Sequence, residues 1–309
     1  MEKNAKIYVA GHTGMVGSAI LRELKKQGYT NMILKTHGEL DLTDKTATES
    51  FFAAEKPEYV FVAAARVGGI KANSTYPVEF GLTNMYIAAN VLKTAHNAGT
   101  KKQLYLGSAC CYPNNAEMPI KESSLLEGSP EPTNEAYALA KNFGVRLCSY
   151  FRQEYGDDFI AVTPANCYGE GDSFDPQNSH VIPALIQKYY QAKLNRTPKI
   201  ELWGSGKAMR EFIYVDDLAS ACVYLMDNYS DYEHVNIGTG TEICIYDLAK
   251  LISKVVGYEG EIVADSSKPD GKMRNFIDST KLLSLGWKPH YTMETGIQKL
   301  FEWYIDNIL

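Results

Sequence analysis

The chain runs Lys6-Ile-Tyr-Val-Ala10 straight into Gly11-His-Thr-Gly14-Met-Val-Gly17, and Val16, Ile20, Leu21 and Leu24 then recur at helical spacing up to Gly28. That is a strand, a tight turn and a helix in immediate succession. Three positions without Cβ let backbone N–H groups approach a pyrophosphate at the positive end of the helix, so the turn points to a βαβ nucleotide-binding unit. A glycine turn alone is a weak signal, and its G-x-x-G-x-x-G spacing differs from G-x-G-x-x-G. The rest of the chain supplies the context. Apolar runs at 32–34 and 59–63 flank a helical interval at 46–55. A helix at 84–97, a strand at 103–106, a loop rich in Pro and Glu at 113–133, a helix at 134–155 and a strand at 159–163 follow. Such alternation predicts an α/β fold with a Rossmann-like doubly wound parallel sheet, covered on both faces.

After residue 166 the character changes, with Gly, Asp, Pro, Asn and Ser crowding 169–179 and the apolar segments shortening. We expect a dinucleotide-binding domain at 1–166 with a return to the sheet around 211–240, and a smaller C-terminal substrate-binding lobe from 167–210 and 241–309. A strand at 234–237 and a helix at 246–256 fit that return. A net charge of -6 without a dense Lys/Arg block excludes a phosphate-tracking nucleic-acid surface. No apolar run approaches the roughly 20 residues of a membrane span. The few residues before Ile7 leave no room for a signal peptide, so a cytoplasmic protein is expected. The six cysteines lack C-x-x-C spacing, which predicts free thiols and no metal site.

The end of the second strand carries Lys35-Thr36-His37 where an NAD site commonly places an acidic residue, which favours the 2′-phosphate of NADP; an ordinary solvated strand end is the alternative. Asp41-Leu42 is positioned to meet the adenine, or Asp41 to cap the next helix. Tyr137 and Lys141 share one helix face, one turn apart. A phenol needs a nearby cation to work as an acid-base catalyst at neutral pH, and Lys141 is placed to provide it. Ser108, at the carboxyl end of a strand, is placed to hold a substrate oxygen.

The turn at 11–17, Asp41-Leu42, Ser108 and the Tyr137/Lys141 pair together resemble the extended short-chain dehydrogenase/reductase family, whose members mostly modify the sugar of a nucleotide sugar. Val67-Gly-Gly-Ile70, Asn73, Thr75-Tyr-Pro77, Glu131-Pro-Thr-Asn134 and Asn178-Ser-His-Val-Ile-Pro183 narrow the resemblance. So do Trp203-Gly-Ser-Gly206, Met209-Arg-Glu-Phe212 and Lys268-Pro-Asp-Gly271. They are similar to the branch of the family that acts on GDP-4-keto-6-deoxy-D-mannose, epimerising C3 and C5 and then reducing the C4 ketone with NADPH.

The resemblance implies that Tyr137 protonates the C4 oxygen, Ser108 positions it and Lys141 holds the nicotinamide ribose. It also implies that Cys110 and His180 are the base and acid of epimerisation. Cofactor contacts are implied for Gly11, His12, Thr13, Gly14, Met15, Val16 and Gly17, and for Lys35, His37, Asp41 and Leu42. They continue at Leu106, Gly107, Ser108 and Ala109, at Pro164, Ala165, Asn166 and Cys167, and at Tyr137, Lys141 and His180. Lys188, Trp203, Arg210 and Asp270 are the implied substrate contacts, and a homodimer through 84–98 and 134–155 is the implied assembly.

Family members often carry Arg at the places of Thr13 and His37, a basic residue at the place of Asn275 and Arg at that of Lys188. A 4-epimerase or 4,6-dehydratase recycling bound NAD is the rival reading; such dehydratases place Asp-Glu where this chain has Ala109-Cys110. A silent binding module would be marked by loss of Tyr137 or Lys141, and both are present. Free cysteine is usually a buried small hydrophobe. If the strand stays extended past its end, however, Cys110 points the same way as Ser108 and Cys111 faces away. His180 or Lys141 would then supply the cation that favours its thiolate.

Overall fold

The computed structural model describes residues 1–175, 179–268, 270 and 272–309; Asn178, Pro269 and Gly271 of the motifs above lie outside them. The apolar runs of the first half become β1 (Ile7–Ala10), β2 (Met32–Ile33), β3 (Tyr59–Val62), β4 (Lys102–Leu106) and β5 (Phe159–Pro164). Between them lie α1 (Met15–Lys26), α2 (Lys45–Glu55), α3 (Ile70–Thr75), α4 (Pro77–Ala98) and α5 (Glu135–Tyr155). Strands β1, β3, β4 and β5 are almost wholly buried, as strands covered on both faces must be. A later strand joins them, and the sheet order is β2-β1-β3-β4-β5-β10, where β10 is Val235–Ile237. All its pairings are parallel. The chain goes from β1 to one neighbour and then returns to the other, so a crevice opens at the carboxyl ends of β1 and β3.

Local chemistry explains most boundaries. Asp44 caps α2 by accepting from the Ala47 N–H at 3.0 Å. Helix α1 has neither a capping side chain nor an acidic residue in its first turn, while Lys25 and Lys26 complement the dipole at its other end. Helix α4 begins seven residues before the expected 84, because Pro77 fixes the first helical φ. The expected loop at 113–133 is pinned rather than free. Tyr112 hydrogen-bonds His234 Nε2 at 2.8 Å and donates to Asn236 Oδ1 at 2.5 Å, Glu122 accepts from the Asn236 N–H, and Ile120 bridges to Ile277.

The remaining strands form small sheets. β6 (Asn166–Tyr168) pairs with β9 (Phe212–Tyr214), and β7 (Lys199–Trp203) with β12 (Glu261–Asp265). β8 (Met209–Arg210) lies between β11 (Ile243–Cys244) and β13 (Arg274–Asn275). Helices α6 (Val181–Leu194), α8 (Ile245–Val256) and α10 (Met293–Asn307) surround a separate apolar cluster that includes Tyr168, Ile186, Tyr189, Leu248, Ile252 and Leu300. Burying each such side chain contributes roughly 1.5–3 kcal/mol. Helix α7 (Val215–Asn228) packs instead with α1 against the sheet, and Ile277, Leu282 of α9 (Thr280–Ser284) and Trp287 join the sheet's cluster although they lie within 241–309.

Candidate active site

The turn after β1 is built around close backbone approach. Gly11 has φ +80°, and a Cβ there would sit 2.6 Å from the Ala64 nitrogen; one on Gly17 would sit 2.1 Å from the Gly11 oxygen. Only glycine fits both places. Uncapped α1 then points its first N–H groups at a cavity of about 340 Å³ lined by Gly11, Thr13, Gly14, Lys35, His37, Asp41 and Leu42. Eleven-to-seventeen and the second strand's end, far apart in the chain, thus meet as expected, and Met15, Val16 and Gly17 form the helix's first turn. A cradle that a Cβ would fill, facing an uncapped helix terminus, fits a dinucleotide pyrophosphate. His12 buries its Nδ1 beside this cradle with no hydrogen-bond partner.

Three details differ from expectation. Asp41 does not cap α2; it accepts from the N–H and hydroxyl of Thr43, which hold its carboxyl below the usual range. The second strand's end does have a carboxylate nearby, because Glu39 folds back to accept from the Thr36 N–H at 2.8 Å and its hydroxyl at 2.7 Å. It thereby comes within Coulombic reach of Lys35 and His12. The wall opposite Lys35 is made by Ala63, Ala64, Ala65 and Arg66, which the sequence reading missed. Their place just past β3, at the sheet's switch point, was the available signal.

At the carboxyl end of β4, Leu106, Gly107 and Ser108 bring the reactive groups together. Lys141 is only 3% exposed, donates from Nζ to the Leu106 carbonyl at 2.8 Å and is pushed down to about 8 by burial. Its Nζ lies 6.0 Å from the Tyr137 ring centre. Burial pushes the Tyr137 phenol up, with Cys110 and Cys111 adding to the effect and a hydrogen bond with Ser108 opposing it. The expected lowering by Lys141 is therefore not what the structure shows. Tyr137 is a neutral phenol at neutral pH, the form that can donate a proton.

Cys110 is exposed and Cys111 is buried, but the expected extended chain is not what separates them. The chain does not stay extended: Ala109–Cys111 form one 3₁₀ turn capped by Ser108, whose Oγ accepts from the Cys110 N–H at 3.3 Å. Desolvation raises the Cys110 thiol, while hydrogen bonds with Ser108 and Asn134 lower it. The expected cations are engaged elsewhere. Lys141 feels Cys111, and His180 is held by Asp172. His180 is 60% exposed in its side chain, with Nδ1 3.5 Å from Asp172 Oδ1, and this partner keeps the imidazole above its ordinary 6.5. The other oxygen of Asp172 is buried without a partner.

Pro164 ends β5 and leads through Ala165 to β6, where Asn166 donates to the Glu211 carbonyl at 3.0 Å and Cys167 follows it. Beyond them, Trp203 is 71% exposed with Lys268 Nζ 5.9 Å from its ring centre. Asp270 accepts from the Ser205 N–H at 2.8 Å, and half-buried Arg210 donates to the Met209 carbonyl. Lys188 donates to the Glu201 carbonyl at 2.5 Å and lines a surface hollow with Lys199. Among the described residues no cluster suits a metal ion, and no helix is long and apolar enough to cross a membrane.

Comparison with known proteins agrees with this geometry. Residues 7–238 match the model of the NAD dependent epimerase/dehydratase family. The chain is 52% identical to a putative GDP-L-fucose synthase 2 of Arabidopsis thaliana, covering 100% of this chain and 94% of that protein. It is 45% identical to the GDP-L-fucose synthase of Escherichia coli (strain K12), over 98% of this chain and 97% of that one. Among solved structures, a GDP-L-fucose synthetase from Naegleria fowleri bound to NADP matches with TM-score 0.92 and 32% identity, covering 100% of this chain and 95% of that one.

Proposed function

Since the chain belongs to the NAD dependent epimerase/dehydratase family, on the branch of the GDP-L-fucose synthases, we propose that it converts GDP-4-keto-6-deoxy-D-mannose to GDP-L-fucose. The observation that carries this reading is the meeting of Ser108, Cys110 and Tyr137 at one strand end, beside a cleft that fits a dinucleotide. NADPH bound in that cleft supplies the hydride for the C4 carbon. Protons at C3 and C5 are acidic because the C4 ketone delocalises the charge left behind. The Cys110 thiolate takes each of them in turn and protonated His180 returns a proton on the opposite face; between the two steps the Cys110 thiol gives its proton to solvent and His180 takes one from it. Tyr137 then gives its hydroxyl proton to the C4 oxygen as the ketone is reduced, while the Ser108 hydroxyl holds that oxygen. Lys141 orients the nicotinamide ribose, and Lys35 attracts the 2′-phosphate, offset in part by Glu39.

In the same reading, residues 1–166 with the return at 211–240 hold NADP, and 167–210 with 241–309 hold the sugar nucleotide. Arg210 meets the diphosphate, Trp203 offers its exposed ring to the base, and Asp270 braces the turn between them. The protein acts as a homodimer in the cytoplasm. Leu82, Tyr86, Leu139 and Tyr150 expose apolar surface on α4 and α5, which a second copy would cover, and six free thiols suit a reducing compartment. Sedimentation of Leu82→Asp as a monomer would support that assembly, and an unchanged dimer would move the interface elsewhere.

The deciding experiment is incubation with GDP-4-keto-6-deoxy-D-mannose and NADPH in D₂O, with the products identified by NMR. Wild-type protein should yield GDP-L-fucose deuterated at C3 and C5. Cys110→Ser should incorporate no deuterium there and slowly form the unepimerised, C4-reduced sugar. Wild-type rates of exchange in Cys110→Ser would remove that residue from the mechanism.

A further inference from the structure

Asn134 stands at the N-cap of α5, where an asparagine side chain ordinarily accepts from the first free N–H groups of the helix. Here it makes no such bond. The backbone around it is braced: Glu131 accepts from the Thr133 N–H at 3.0 Å, the Asn134 N–H donates to the Glu131 carbonyl at 3.2 Å, and the Ser74 hydroxyl donates to the Thr133 carbonyl at 3.3 Å. The side chain is therefore diverted by its surroundings and not by a loose turn. It stands on the helix face of Tyr137 and Lys141, three and seven positions further on. Against α5 packs the 3₁₀ turn Ala109–Cys111, which Asn142 fastens by donating from Nδ2 to the Cys111 carbonyl at 3.0 Å.

Asn134 Oδ1 is sealed from solvent and has no hydrogen-bond partner among the described residues. The NH₂ of the same amide is therefore the end that bonds the Cys110 thiol. Because the oxygen shares a carbon with that nitrogen, it opens into the space beside the thiol. A buried amide oxygen is costly to leave unpaired, so a hydrogen-bond donor on the bound substrate is what fits it. Of the two sugar carbons that react at Cys110, only C3 bears a hydroxyl; C5 bears a methyl group. We propose that Asn134 is the specificity-determining residue for the C3 hydroxyl, accepting from it with Oδ1 and thereby holding the C3 hydrogen towards Cys110. This rests on the nucleotide-sugar reading above.

The test compares GDP-4-keto-6-deoxy-D-mannose with its 3-deoxy analogue as substrates of wild-type, Asn134→Leu and Asn134→Ser proteins at saturating NADPH. Asn134→Leu keeps the shape of the side chain and removes the acceptor, whereas Asn134→Ser keeps a good helix cap that is too short to replace the amide. Wild-type kcat/KM should be at least about tenfold higher for the substrate with the C3 hydroxyl, because a site built around a hydroxyl rejects the molecule that lacks it. Both variants should lose about tenfold or more with the hydroxyl-bearing substrate and stay within about threefold of wild type with the 3-deoxy analogue. Equal losses on the two substrates would mark a structural role and overturn the assignment, as would variants that turn over the hydroxyl-bearing substrate at the wild-type rate. Wild-type protein that binds NADPH yet turns over neither substrate would overturn the nucleotide-sugar reading itself, and the assignment of Asn134 with it.

Discussion

Tyr137 is kept protonated by its surroundings, so its part in the proposed reaction is to give a proton rather than to take one. Tyr137→Phe keeps the ring and removes the donor. Reduction at saturating NADPH should fall by at least about 10²-fold while cofactor affinity stays near wild type; near-normal turnover would show that another group protonates the C4 oxygen. His180 presents the opposite case, a base kept charged by Asp172. Because its pKa is raised above 6.5, the imidazole stays protonated as pH rises through the unfolded value and loses its proton only above it. A step that needs the charged form therefore fades on the alkaline side. Asp172→Asn should move the midpoint of that fall to lower pH in deuterium-exchange profiles, and an unmoved profile would mean that Asp172 only shapes the loop. That Ser108, Tyr137 and Lys141 lie together was legible from residue type and spacing. The contacts of Glu39 and Asp172 were not, since each forms through a turn that folds back on the chain.

Among the elements, β1, its turn and α1 were readable because apolar spacing, glycine and helix signals coincide there. The two outer glycines should be far less replaceable than the middle one. Gly17→Ala places a methyl 2.1 Å from the Gly11 oxygen and should weaken NADPH binding by about tenfold or more, whereas in Gly14→Ala the nearest atom is 3.5 Å away and affinity should stay within about threefold. Fluorescence titration of NADPH distinguishes the two, and equal losses would mean that backbone approach is not what the turn requires. The first turns of α4 were missed because Val78 and Leu82 are exposed, which blurs the apolar stripe that marks a helix. The same exposure makes that helix a candidate for contact with another chain. The 3₁₀ turn at Ala109–Cys111 was missed because one short turn has no periodicity to read.

At the scale of the whole molecule, Glu211 ties together parts that the sequence separates. It is 1% exposed, accepts from the N–H groups of Thr239 and Gly240 at 2.8 Å and from that of Ile277, and burial pushes its carboxyl up to about 7. A carboxyl that holds its proton more tightly when folded stabilises the fold fully below the unfolded value of 4.5, and that contribution is lost as pH rises towards 7. Glu211→Gln should flatten the decline in melting temperature across this interval; an unchanged slope would mean the carboxyl titrates normally. The parallel sheet, the dinucleotide turn and the Ser108, Tyr137 and Lys141 set follow from the sequence alone, because each is encoded by side-chain period or by residues within a few turns of one another. Why Cys110 is exposed, how Glu39 returns to Thr36 and what Lys188 touches were decided by tertiary structure. Those outcomes depend on distances between segments that no local pattern records, and on burial, which sets the charge of each group only once the chain has closed around it.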